Sequence, residues 1–148
     1  MNDIYNYWYY DEKLSSSGMP TAGQMQSVAE AGVKVVINLA LVTSQGALPS
    51  ESPLVESLGM KYIHIPVIWE NPTRQNLEDF FGAMEAHKDD KVHVHCQANY
   101  RASAFIMLYR VQRLGWKKEE AIWIMERMWN PEDFPAWQKF IDEQLAKA

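Results

Sequence analysis

Thiol chemistry is nearly absent from this sequence: its 148 residues include one cysteine, Cys96. One cysteine excludes an intramolecular disulfide and a cysteine-based zinc site, and a lone thiol suits a reducing compartment. Positive charge is also scarce, with 14 Lys and Arg against 19 Asp and Glu and a net charge of −5. That balance argues against a general nucleic-acid binder, which presents a basic face. It also means that an anionic ligand must be drawn by a local positive site, because the global field repels it. No stretch reaches the roughly 18 consecutive apolar residues of a membrane span. The opening MNDIYNYWYYDEK has neither the basic start nor the apolar run of a secretory signal. The four histidines show no HExxH-type ligand spacing, so neither a metal nor another cofactor is expected. Repeats, low-complexity tracts and long linkers are missing too. The expectation is a cytoplasmic protein without membrane or nucleic-acid partners; oligomeric state is left open.

At 47% hydrophobic and 12% aromatic, the chain carries enough apolar surface for a real core, and one domain over residues 1–148 is expected. YNYWYY and the following DEKLSSSGMP read as one or two short strands entering a turn. A helix is predicted over TAGQMQSVAEAG, with Thr21 as N-cap and Gly32 as the stop. VKVVINLAL (33–41) is a near-continuous β-branched run, the pattern of a strand covered on both faces. PLVESLG suggests a short helix ending at Gly59, and MKYIHIPV (60–67) a second strand. In TRQNLEDFFGAMEAHKDD, Leu77, Phe80, Phe81 and Met84 share a helical face behind a Thr73 N-cap. KVHVH (91–95) is the third strand. Helical patterns then follow in RASAFIMLYRVQRLG, KKEEAIWIMERMW and PEDFPAWQKFIDEQLAKA. Met107, Leu108, Val111, Trp123 and Met128 read as core stripes on them. Strands alternating with helices predict an α/β fold: a central, mostly parallel sheet flanked by helices, with a C-terminal helical group.

The chemistry concentrates in VHVHCQANYRASAF (92–105), where Cys96 stands at the end of an apolar strand, just before a helix. A helix N-terminus carries about half a positive charge and several free N–H groups. Those donors stabilise an anion, either the thiolate itself or a bound oxyanion, so ionisation of Cys96 near neutral pH is expected. Arg101 would reach the same concavity, where a guanidinium meets two oxygens of a tetraoxyanion in a fork. The backbone amides of Gln97, Ala98, Asn99, Tyr100 and Arg101 would form the anion nest. Such a loop needs a residue at positive φ. It contains no glycine, and Asn99 is the residue best suited to that conformation. His95 would fix the loop through its ring nitrogens.

This His-Cys…Arg arrangement resembles the cysteine-dependent protein tyrosine and dual-specificity phosphatases. GMPTAGQMQSVAEAGVKVVINL is similar to the Pro-Thr helix start and early core strand of bacterial members. YIHIPVIWENPT resembles their acid loop, and HCQANYRAS their phosphate-binding loop. The resemblance implies a dual-specificity-phosphatase-like fold and hydrolysis of a phosphomonoester, phosphotyrosine among the possibilities. The implied catalytic set is Cys96, Arg101, Glu70 and His95, with Ser103 joining residues 97–101 in phosphate binding. Glu70, the only carboxylate of VIWENPT, takes the place of the family's aspartic acid as general acid; Asp79, Glu78 and Asp133 are further options. Trp69 would shape the pocket wall. His64 and His93 are expected to be structural, and His87 to act as a cation at a helix C-terminus.

The chain departs from the pattern at two points. Four residues separate Cys96 from Arg101, where the phosphatase loop has five, and Ala102 replaces the usual hydroxyl after the arginine. A four-residue gap is similar to rhodanese-type sulfurtransferases and to a bacterial phosphatase-like group linked to sulfur transfer, since a smaller cup suits sulfane sulfur. Three readings therefore stand: a phosphatase, a sulfurtransferase working through a Cys96 persulfide, and a catalytically weak module binding an oxyanion or a partner.

Overall fold

The computed structural model describes residues 1–44 and 46–147. In chain order the elements are β1 (Trp8–Asp11), β2 (Leu14–Ser17), α1 (Ala22–Glu30), β3 (Val35–Asn38), α2 (Glu51–Ser57), β4 (Lys61–His64), α3 (Arg74–Ala86), β5 (Val92–His95), α4 (Tyr100–Arg113), α5 (Lys118–Met125) and α6 (Pro135–Leu145), with a 3-10 turn at Pro131–Asp133. The strands form one sheet in the order β1-β2-β5-β3-β4. β2, β5, β3 and β4 are parallel, and β1 folds back antiparallel on β2 at the edge. The mostly parallel sheet and C-terminal helical group expected from the sequence are both present. No helix among the described residues is long and apolar enough to cross a membrane.

Local chemistry explains the helix starts. Thr21 and Thr73 each accept a hydrogen bond from the backbone N–H three residues on, and the Gln24 and Asn76 side chains return the bond. Each capping box satisfies two amide donors that a helix leaves open. Gly32, just past α1, sits at φ +92, where a side chain would be strained.

Alternation along the strands separates two apolar cores. Val35, Ile37, Val92 and Val94 pack with Leu77, Phe80, Phe105 and Trp137 beneath α3, α4 and α6. Val36 turns the other way, to Met25, Val28, Val55 and Met60 beneath α1 and α2. By the same alternation Asn38, His93 and His95 belong to the α1/α2 side, where all three are buried. That side of the sheet is therefore partly polar inside.

Three expectations are corrected here. The apolar runs 33–41 and 60–67 outlast the strands β3 and β4, although Leu39, Ala40, Ile65 and Val67 stay buried beyond them. Apolar content reports burial, and it does not fix where a ladder stops. The closing helical run is divided at Phe134, whose ψ of 87° is not helical; the ring of Pro135 disfavours helix in the residue before it. Trp123, expected in a core stripe, is 54% exposed, with the Arg127 guanidinium 4.2 Å from its ring centroid.

The last residues of the parallel strands, Ser17, His95, Asn38 and His64, are aligned in register. The loops leaving β3, β4 and β5 consequently converge beyond one edge, where open α/β sheets bind their ligands.

Candidate active site

Cys96 is the first residue past β5. It is 1% exposed, and its N–H donates to the Ser17 carbonyl at 3.4 Å. Asn99 takes φ 67°, the left-handed turn expected of it, and α4 begins at the next residue. The loop carbonyls are engaged: that of Cys96 lies 3.3 Å from His95 Nδ1. Gln97 accepts from the Met19 N–H at 3.0 Å and Ala98 from Asn6 Nδ2 at 2.9 Å. In a trans peptide the N–H points opposite to the C=O. Tying the Cys96 and Gln97 carbonyls back to the body of the protein therefore turns the Gln97 and Ala98 amides the other way.

The N-terminal segment braces this loop. Gly18 forms an isolated bridge with Ala98, and its N–H donates to the Tyr5 carbonyl at 2.7 Å. A Cβ on Gly18 would stand 2.8 Å from the Gln97 carbonyl oxygen and 2.7 Å from Tyr5 Cδ2, so only glycine lets the loop backbone approach this closely. The Asn99 side chain points into the same brace, donating to the Asn6 carbonyl and to Ser16 Oγ, both at 2.9 Å.

A cleft of about 440 Å³ opens over the loop. Cys96, Gln97, Ala98, Tyr100 and Arg101 line its floor, Trp69, Glu70 and Phe134 one side, and Leu41, Thr43 and Ser44 another. Among its described lining residues Arg101 carries the one positive charge and Glu70 the one negative charge. The segment carrying Glu70 is held from two directions. Arg101 donates to the Val67 carbonyl at 2.8 Å, and the Trp137 indole donates to the Trp69 carbonyl at 2.7 Å. The Trp69 ring packs among Tyr100, Trp129, Phe134 and Trp137 at centroid separations of 5.2–6.1 Å. Tyr100, from the loop itself, stacks on Trp129 at 4.9 Å and 5°.

Behind the loop lies a buried polar layer. His95 Nε2 is 2.6 Å from Glu51 Oε2. Asn38 Nδ2 reaches Glu51 Oε1 at 3.5 Å and donates to the Tyr62 hydroxyl at 3.0 Å. Burial pushes Tyr62 up to about 12. His93 lies between Ser15 Oγ, 2.7 Å from Nδ1, and Ser17 Oγ, 2.8 Å from Nε2. Burial first, and the neighbouring His95 second, push His93 down to about 3. His93 is thus structural, as expected, and so is His64, whose Nε2 lies 2.7 Å from the Ala40 carbonyl. His87 caps α3 and pairs with Asp90 at 3.0 Å.

The structure brings Cys96, Gln97, Ala98, Tyr100, Arg101 and Glu70 to one cleft and leaves three expected residues outside it. His95 sits behind the loop. Asn99 contributes its backbone turn, its side chain facing away. The Ser103 hydroxyl donates into the first turn of α4, 2.6 Å from the Asn99 carbonyl, and accepts from the Trp129 indole at 3.1 Å. Of the other carboxylates, Glu78 pairs with Arg74 and Arg113, and Asp79 accepts from Gln75, both on α3; Asp133 is outside the cleft lining. Sequence reasoning passed over Gly18, Asn6, Glu51 and Phe134. Gly18 had a usable signal, a glycine directly after a strand of three serines; the others depend on contacts between segments far apart in the chain.

A search of curated proteins finds no significant match. A family model described as "DSP-PTPase phosphatase fused to NAD+ Kinase" matches residues 10–140. A candidate phosphatase (DUF442) from Shewanella putrefaciens CN-32, with a crystal structure at 1.60 Å, is 41% identical over 99% of this chain and 92% of its own, with TM-score 0.88. TpbA of P. aeruginosa superposes with TM-score 0.76 at 17% identity, over 94% of this chain and 84% of its own. Its Cys→Ser form was crystallised with pTyr. PTPMT1 superposes with TM-score 0.71 at 20% identity, over 95% of this chain and 98% of its own, and was also crystallised with PI(5)P. The last two similarities concern the fold, whereas the family match spans nearly the whole sheet and helical group: this chain belongs to the cysteine-dependent DSP-PTPase phosphatases, which are hydrolases.

Proposed function

We propose that the protein hydrolyses phosphomonoesters through a phosphocysteine intermediate, with Cys96 as nucleophile, Arg101 as oxyanion clamp and Glu70 as general acid and base. The observation that carries this reading is the convergence of these three side chains on one cleft at the carboxyl end of the sheet. In the first step the Cys96 thiolate forms an S–P bond while the P–O bond to the leaving group breaks, and Glu70 gives that oxygen its proton. In the second step Glu70 takes a proton from water as the water oxygen attacks phosphorus. The S–P bond breaks, and the thiolate and inorganic phosphate are released. Arg101 and the loop amides stabilise the charge on the equatorial oxygens throughout.

The four-residue gap is compatible with this chemistry because Asn99 supplies a left-handed turn that closes a short loop onto α4. The aromatic lining of the cleft, Trp69 and Phe134 at one side and Tyr100 in the floor, favours an aryl phosphate such as phosphotyrosine. The pTyr complex of TpbA and the PI(5)P complex of PTPMT1 are consistent with a phosphorylated ligand in this fold.

Hydrolysis of p-nitrophenyl phosphate tests the proposal. Cys96→Ser is expected to abolish turnover. Glu70→Gln is expected to lower kcat by about 10²- to 10⁴-fold while still allowing the phosphocysteine to be trapped. Sulfur transfer from thiosulfate to cyanide by a wild type inactive on aryl phosphates would replace this reading with the sulfurtransferase one. Absence of both activities with vanadate still bound would leave an oxyanion-binding module.

A further inference from the structure

The buried layer behind the loop contains a carboxylate that the proposed mechanism does not use. Glu51 is 5% exposed and His95 is fully buried, and their contact at 2.6 Å is shorter than an ordinary N–H···O bond. We propose that Glu51 is a positioning residue that holds His95 as an imidazolium behind the loop, so that its charge favours the thiolate of Cys96. The inference rests on the assignment of Cys96 as nucleophile.

A proton count carries it. His95 Nδ1 faces the Cys96 carbonyl oxygen at 3.3 Å, and a carbonyl can only accept, so Nδ1 bears a proton. Nε2 and Glu51 Oε2 at 2.6 Å share one further proton. Imidazole is the stronger base of the two by about two pK units, so the shared proton is placed on Nε2 and Glu51 is the acceptor. Asn38 Oδ1 is occupied by the Ala40 N–H at 2.8 Å, so the amide presents its Nδ2 donor to Glu51 Oε1. The titratable neighbours on the adjoining elements are Tyr62 on β4, pushed up to about 12 by burial and so uncharged, His93 on β5, pushed down to about 3 by burial, and the Cys96 thiol. His64 on β4 is turned to the Ala40 carbonyl. No other charged side chain in this layer meets Glu51 among the described residues, and a positive charge on a ring tied to the Cys96 carbonyl would favour ionisation of the thiol on that residue.

The test is the rate of Cys96 alkylation by iodoacetamide between pH 5 and 9 in wild type and Glu51→Gln. A glutamine keeps the shape and can donate to a neutral His95, so it deletes the charge and leaves the packing. The expected result is an alkylation rate at pH 6 lower by on the order of tenfold in the variant, with the acid limb of kcat/KM displaced to higher pH in parallel. Equal alkylation profiles would overturn the role of Glu51. A wild-type cysteine that reacts only above about pH 8, like an ordinary thiol, would instead overturn the assignment of Cys96 as nucleophile. Should the variant not fold, ¹⁵N NMR of the wild type decides: both His95 nitrogens carrying protons at pH 7 support the proposal, and a neutral ring refutes it.

Discussion

Asn99 is where residue chemistry sets the shape of the site. Its left-handed backbone closes the loop, and its side-chain amide ties that loop to Asn6 and Ser16. Asn99→Gly removes the side-chain bonds but keeps the backbone free to turn. Asn99→Ala removes the same bonds and adds left-handed strain of about 1 kcal/mol. Urea denaturation should therefore place alanine about 1 kcal/mol below glycine, and the two should rank in the same order in kcat. Equal stabilities would mean that the φ of this residue does not matter. His93 gives a second test at this scale. Its folded value of about 3 lies below the unfolded reference of about 6.5, so between these values the unfolded chain binds the extra proton. Stability is then fully present above pH 6.5 and falls as pH drops towards 3, by up to about 1.4 kcal/mol per unit from this group alone. Denaturation midpoints at pH 7, 6 and 5 measure the slope, and His93→Gln should flatten it even though the variant starts less stable.

Among the elements, the β4–α3 connection decides how the acid meets the leaving group. It carries Glu70 and is tied to α4 through Arg101 and Val67, and to α6 through Trp137 and Trp69. The loop is thus held by hydrogen bonds to its own carbonyls, which any sequence would offer, and by the aromatic cluster around its Trp69 ring. Trp137→Phe leaves the Trp69 carbonyl without its indole donor, about 1 kcal/mol, and also vacates part of a fully buried ring site, for a total loss of about 2–3 kcal/mol in stability. The kinetic effect should depend on the leaving group. An ester of a weakly acidic alcohol needs protonation by Glu70, so its kcat should fall several-fold more than that of p-nitrophenyl phosphate, whose oxygen leaves readily as an anion. A uniform fall across leaving groups would show that the indole bond serves stability only. Gly18 makes a complementary case between β2 and the loop. Gly18→Ala forces a methyl against the Gln97 carbonyl and should cost activity beyond its effect on thermal unfolding, measured as kcat against Tm.

At the scale of the whole molecule, what the sequence made legible follows physical range. Strand–helix alternation, the Thr21 and Thr73 caps and the Cys96–Arg101 loop are all written within a few residues, and all appear in the structure. The turn at Asn99 could be anticipated because only one residue in the loop suits it. Glu51 and Asn6 were hidden, since they meet His95 and Ala98 across 44 and 92 residues of chain and no local pattern marks them. Ser103 looked available because its hydroxyl is one residue from the expected place; helix geometry instead hands it to the Asn99 carbonyl. Charge is the property read from composition that still acts at this scale. A net charge of −5 repels an anionic substrate at long range, while Arg101 attracts it only within the cleft. Salt screens the first effect over a Debye length of about 10 Å at 0.1 M and hardly touches a direct guanidinium contact. Raising NaCl from about 10 to 150 mM should accordingly leave kcat/KM for a small aryl phosphate unchanged or raise it slightly, by less than about threefold. A steep fall would mean that several cations outside the cleft guide the substrate, and the single-arginine account of attraction would then fail.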